Sequence, residues 1–122
     1  MIEYIRIFSD AEGCSHFEIK KIELTQNNYA PPALPLNTSS AESTDSLVFL
    51  ELPENWFGKW HPTPVRQWLI MMTGEVEFET GDGNKFISRA GDVVLLDDTT
   101  GKGHQSRALG NEPARIAAMH CS

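Results

Sequence analysis

The chain has 122 residues, enough for one domain (1–122) with an ordinary core that needs no metal or disulfide staple. Its 17 acidic side chains against 10 Lys plus Arg give a formal charge of −7, a field that repels nucleic acid and anionic membranes and leaves a small molecule or a protein as the expected partner. Cys14 and Cys121 have neither the C-x-x-C spacing of a metal knot nor the density of a secreted disulfide scaffold, so both read as reduced packing residues.

The opening segment, "MIEYIRIFSDAEG", mixes charged with apolar residues. It lacks the apolar centre of a signal peptide, and no run approaches membrane-spanning length, so a cytoplasmic location is expected. "YIRIF" and "HFEIKKIEL" alternate apolar and polar residues around the turn-forming "SDAEGCS", predicting two early strands. Residues 27–46 are rich in Pro, Ser, Thr and Asn and predict a long irregular loop: a lid over a cavity, an arm on a neighbouring subunit, or simply tolerated chain. The acceptor pattern Asn37-Thr38-Ser39 within it is read as chance, given the absence of a secretion signal.

"SLVFLEL" then reads as a strand, "PENWFGKWHPTP" as an aromatic-rich turn region, and "VRQWLIMM" as a strand buried on both faces. In "EVEFET" Val76 and Phe78 share one face, and the Asp-Gly signal in "GDGN" predicts a hairpin with "KFIS". "GDVVLLDD", the loop "TTGKG", "HQSRAL", the turn "GNEP" and "ARIAAMHC" complete the chain. Every segment is a short strand, which predicts an all-β sandwich or jelly roll.

From Ser46 to Cys121 the chain resembles the cupin superfamily, whose first motif reads G-x5-H-x-H-x(3,4)-E-x6-G and whose second reads G-x5-P-x-G-x2-H-x3-N. Aligned on Gly74, His61 takes the first histidine position, Thr63 the second, Gln67 the glutamate, and Asn55 the opening glycine. In the second motif Gly91 opens the turn and His104 comes two residues late, while Asp97, Thr99 and Ala108 replace the proline, glycine and asparagine. The resemblance implies a cupin-type jelly-roll barrel, a double-stranded β-helix. Its typical site holds a divalent metal on three histidines and a carboxylate.

The expected metal ligands are therefore His61, Gln67 and His104, with no cofactor or a weakly bound Fe, Mn, Ni or Zn, because an amide oxygen and a threonine are weaker donors than those they replace. Without metal, the same residues could hold one another in a hydrogen-bond network. His120 is a further candidate imidazole if the last strand runs beside the site. Strand parity aims Gln67, Leu69 and Met71 inward with Val76 and Phe78, and Arg66, Trp68, Ile70 and Met72 outward. That apolar outer set would need covering by the N-terminal strands or by a second subunit, so a homodimer is expected.

The ligand-binding set is His61, Gln67, His104, Trp60, Thr63, Met71, Phe78 and Lys102, with Trp56 and Phe57 as further wall candidates and Asp97 or Asp98 as acid or base if inward. No phosphate-binding loop and no nucleophile elbow is present. The expected function is binding of a small molecule at a degenerate metal site. The alternative is an isomerase, lyase or oxygenase acting through a weakly held metal or through the histidine pair.

Overall fold

The computed structural model describes residues 1–121. Its strands are β1 (Ile2–Ser9), β2 (Ser15–Ile22), β3 (Thr25–Asn27), β4 (Leu36–Thr38), β5 (Ser46–Leu52), β6 (Phe57–His61), β7 (Gln67–Thr73), β8 (Glu75–Glu79), β9 (Lys85–Arg89), β10 (Val93–Asp97), β11 (His104–Leu109) and β12 (Ala114–His120). No helix among the described residues is long and apolar enough to cross a membrane.

A six-stranded sheet in the order β2-β1-β10-β7-β12-β5 faces a four-stranded sheet in the order β6-β11-β8-β9, and β3 and β4 form a separate ribbon. The core lies between the two large sheets. Ile7, Leu69, Met71, Val94, Leu96, Ile116 and Ala118 meet Val76 and Phe78, each set alternating along its strand with residues of the other face. Parity thus separates the faces as the sequence predicts, and "EVEFET" pairs with "KFIS" from Glu79↔Lys85 to Glu75↔Arg89.

Three local expectations change. The "FGKWH" part of the supposed turn region is a strand, β6, antiparallel to β11: Phe57, Lys59 and His61 are exposed while Gly58 and Trp60 are half-buried, an alternation that the clustered aromatics hide. Within residues 27–46, Leu36–Thr38 pairs with Thr25–Asn27, and the rest is almost wholly exposed. Lastly, β7 is not covered throughout its outer face. Tyr4 of β1 packs edge-on against Trp68 at 4.9 Å, but Ile70 and Met72 stay exposed because β1 extends the sheet beyond β10 and does not cross it.

The turns carry the unusual backbone. Asn55, at the position of the motif's opening glycine, adopts the left-handed conformation itself at φ 67°, one of the few residue types that does so at modest cost. Gly103 (φ 77°) lies against the backbone of His61 so closely that a Cβ there would come within 2.0 Å of the His61 carbonyl oxygen.

At the β1–β2 turn, His16 lies between two carboxylates, 2.8 Å from Asp10 Oδ2 and 3.1 Å from Asp82 Oδ2. The hydrogen bond to Asp10, aided by Asp82, raises the His16 pKa above its ordinary value, and the same bond lowers that of Asp10.

Candidate functional site

Gln67, Phe78 and His104 are placed by the inward parity of their strands, whereas His61, on the exposed side of β6 by alternation, is brought opposite His104 by a register shift in the β6–β11 pairing. His104 opens β11 directly opposite His61 at the end of β6, and their ring centroids are 5.0 Å apart. Gln67 opens β7 and Phe78 lies on β8. Together with Trp56, Ser106, Leu50, Leu52, Leu69, Val76, Leu96 and Ile116 these residues line a cavity of about 120 Å³.

The two imidazoles are held in defined tautomers by what lies behind them. His61 Nδ1–H donates to the Lys59 carbonyl, since a carbonyl can only accept. His104 Nδ1–H donates to Asp98 Oδ2 at 2.6 Å, and both partners are buried. In the neutral form each ring is thereby left with Nε2, which has no protein partner among the described residues, as its acceptor nitrogen beside the cavity. Asp98 continues the inner face of β10 after Val94 and Leu96, whereas Asp97 turns outward onto Arg6 at 2.8 Å. The second oxygen of Asp98, Oδ1, is sealed from solvent without a partner, so the carboxylate is committed to His104.

Gln67 donates from Nε2 to Thr63 Oγ1 at 3.0 Å, and Thr63 spends its own hydroxyl proton on the Val65 carbonyl at 2.6 Å. Thr63 lies behind Gln67, away from the cavity walls, and holds the amide with its carbonyl oxygen free of protein partners among the described residues. The polar groups thus form three separate anchored pairs (His61–Lys59, His104–Asp98 and Gln67–Thr63) and not one closed network.

Several expected ligand contacts fall elsewhere. Trp60 faces away and stacks under Lys102, whose Nζ is 4.2 Å from the ring centre, so neither lines the cavity. Met71, four residues beyond Gln67 on β7, is buried in the core and does not line the cavity. Phe57 is on the exposed side of β6, and Trp56 is the aromatic wall. Arg66 stays on the outer face, 3.6 Å from Asp97. His120 is the cross-strand neighbour of Gln67, yet its Nδ1 is engaged with Ser46 Oγ at 3.2 Å and it is not a cavity wall.

Leu69 and Val76 line the cavity as strand parity predicts, whereas Ser106, Leu50, Leu52, Leu96 and Ile116 are not singled out by the sequence, although Ser106 follows His104 by two residues and so shares its face. A second, larger depression of about 220 Å³ lies over Glu77, Glu79, Lys85 and Arg107, but its charges are already paired with one another, Arg107 with Glu77 at 2.8 Å and Lys85 with Glu79 at 3.8 Å.

A model of the cupin domain matches residues 48–120. The chain belongs to the cupin family. Among solved structures, this cupin is similar to the Schizosaccharomyces pombe Cnp3 cupin domain, with 12% identity over 88% of this chain and 72% of that chain and a TM-score of 0.51. It is also similar to a Salmonella typhimurium structure named for ethanolamine utilization, with 17% identity over 99% of this chain and 96% of that chain and a TM-score of 0.48. No curated protein matches the chain. The first likeness shows the fold.

Members of this family often hold a metal, but the barrel donors here do not fit a tightly held one. They offer two imidazole nitrogens and a neutral amide oxygen. The position of the third imidazole is taken by Thr63, whose hydroxyl is committed to Val65 and Gln67, and the nearby carboxylate of Asp98 is committed to the far side of His104. A divalent cation would meet no anionic donor among these residues.

Proposed function

We propose that this cupin binds a compact organic molecule in its barrel, the apolar part among Leu69, Val76, Phe78 and Leu96 and a polar end at Nε2 of His61 and His104. The observation that carries this reading is the engagement of Nδ1 in both rings by an oxygen behind it, which leaves Nε2 of each neutral imidazole as an acceptor at one end of a mostly apolar cavity. Donor groups on the ligand, a hydroxyl or a protonated amine, suit that pair, and Gln67 supplies a further carbonyl oxygen. At about 120 Å³ the cavity is well under the roughly 300–1,000 Å³ of pockets for drug-sized ligands, so the occupant has only a few heavy atoms.

An NMR titration with phenol, butanol and butyrate as probes tests it. Phenol or butanol should shift the methyl resonances of Leu69, Val76 and Leu96, with affinity at least about tenfold weaker in His61→Ala/His104→Ala, the loss expected from two hydrogen bonds. Methyl resonances unmoved by all three probes, or equal shifts in the double variant, would contradict the reading.

The Asp98–His104 pair supports a second reading of the same cavity, as an acid–base catalyst. A carboxylate that orients an imidazole by its Nδ1–H is the arrangement of a general base. His104 Nε2 would take a proton from one carbon of the bound molecule and return the same proton to a neighbouring atom, chemistry of the isomerase kind. Its signature would be exchange of the C3 protons of 2-oxobutyrate with D₂O, lost in His104→Ala. Binding without exchange would leave the first reading alone.

A second copy of the chain completes the proposal. On the outer face, Ile70 of β7, Ala117 of β12 and Phe49 of β5 are in register, flanked by Leu47 and Met72, and make an apolar strip, exposed except at the half-buried Ala117, that a homodimer would bury.

A further inference from the structure

Outside the barrel, the β1–β2 turn brings Asp10, Cys14 and His16 together. One ligand atom from each lies within 4.8 Å of the others, the one such trio of potential metal ligands among the described residues. We propose that these three side chains bind Zn²⁺ and that the ion stiffens the turn against which the loop carrying His104 packs. A thiolate, an imidazole and a carboxylate are a zinc donor set, and three protein ligands leave a fourth, tetrahedral position for water.

The groups are positioned from outside the trio. Asp10 Oδ1 accepts the backbone N–H of Glu12 at 2.9 Å and of Cys14 at 3.0 Å, which turns Oδ2 toward His16. Cys14 Sγ makes only a long contact, 3.7 Å, with the Ser15 carbonyl.

The independent observation lies across the sheet junction. Asp82, from the β8–β9 turn, accepts Nδ1–H of His16 at 3.1 Å. It is itself fixed by Thr80 Oγ1 at 2.6 Å and by the Asn84 backbone N–H at 3.1 Å. A carboxylate behind one ring nitrogen, with the other nitrogen toward a cluster of ligands, is the second-layer arrangement that orients metal-binding histidines.

The site is coupled to the barrel end. The buried Ser15 donates from Oγ to the Gly103 carbonyl at 2.7 Å and accepts from the Gly81 N–H at 2.7 Å. Gly101 lies against Gly13 so closely that a Cβ on Gly101 would come within 2.1 Å of the Gly13 carbonyl oxygen. An ion on Asp10, Cys14 and His16 would therefore hold the segment that leads directly into His104.

The test uses full-length, untagged protein treated with EDTA and dialysed, then titrated with Co²⁺ and Zn²⁺. Co²⁺ should give a near-ultraviolet thiolate charge-transfer band that Zn²⁺ abolishes by displacement, and Zn²⁺ should raise the melting temperature. Cys14→Ser should remove the band, while Asp82→Asn should keep it and weaken affinity about 10–100-fold. The His61→Ala/His104→Ala variant should retain both band and affinity, so this site and the barrel reading succeed or fail separately. A wild-type protein with no thiolate band, a band that persists in Cys14→Ser, or a band lost in the barrel double variant while the fold is intact by circular dichroism would overturn the proposal.

Discussion

At the scale of single residues, Asp98 gives the site its character. Completely buried, with one oxygen on His104 and the other unpartnered, it stays in place because His104 Nδ1–H answers it. Asp98→Ala should lower stability by about 2–3 kcal/mol, the loss of a buried, charge-assisted hydrogen bond, measured by urea unfolding. Asp98→Asn retains an acceptor of the same shape, so the fold should survive while the preference for the Nδ1–H tautomer of His104 weakens. Imidazole ¹⁵N shifts read this directly. An unchanged tautomer ratio would show that something other than Asp98 sets the ring.

The sequence could name Asp97 and Asp98 only as a pair, because "VVLLDD" is apolar on both faces and carries no alternation to say which aspartate looks inward. Trp56 and Trp60 show the same limit: two tryptophans four residues apart flank the start of a strand whose presence the aromatic cluster concealed, and only its pairing with β11 sends one to the cavity and the other under Lys102.

At the scale of elements, the connection between β10 and β11 determines where His104 stands. Gly103 combines a positive φ with an approach to the His61 backbone that leaves no room for a Cβ, so the loop, β6 and the cavity end are built as one piece. Gly103→Ala should cost about 1–3 kcal/mol from backbone conformation alone, with more from the clash against backbone that cannot swing aside. Among cavity resonances the imidazoles of His61 and His104 should move most. Gly83→Ala, also at positive φ but with nothing within 4 Å, is the control and should cost only the conformational part.

The hairpin over "GDGN" was legible because Asp-Gly chemistry is local. The gathering of Asp10, Cys14 and His16 was not, although all lie within seven residues: the D-x3-C-x-H spacing is visible, but its closure depends on the turn geometry and on Asp82, which arrives from the far turn of another hairpin.

At the scale of the whole molecule, the two-sheet architecture follows from strand periodicity, and the motif spacing brought His61, Gln67 and His104 to one end of the barrel in spite of the substitutions around them. What spacing could not supply was the set of partners behind the two rings and the Gln67–Thr63 pair, because Lys59, Asp98 and Val65 make their contacts through backbone atoms or through a face that only the assembled sheets define.

The outer strip of Phe49, Ile70 and Met72 is a property of the assembled sheet as well. Sedimentation equilibrium should give a dimer, and Phe49→Lys, which sets a charge in the middle of that strip, should shift the species to monomer with unchanged circular dichroism. A wild-type monomer at all concentrations would contradict the homodimer.

The proposed barrel site uses two oriented imidazoles and no resident metal. The measurement that bears on it most directly is the metal content of untagged protein in the Cys14→Ser background, which disables the hairpin site. Substoichiometric iron, manganese, nickel and zinc is the expected result. A stoichiometric metal in that protein, lost on adding His61→Ala or His104→Ala, would contradict the account.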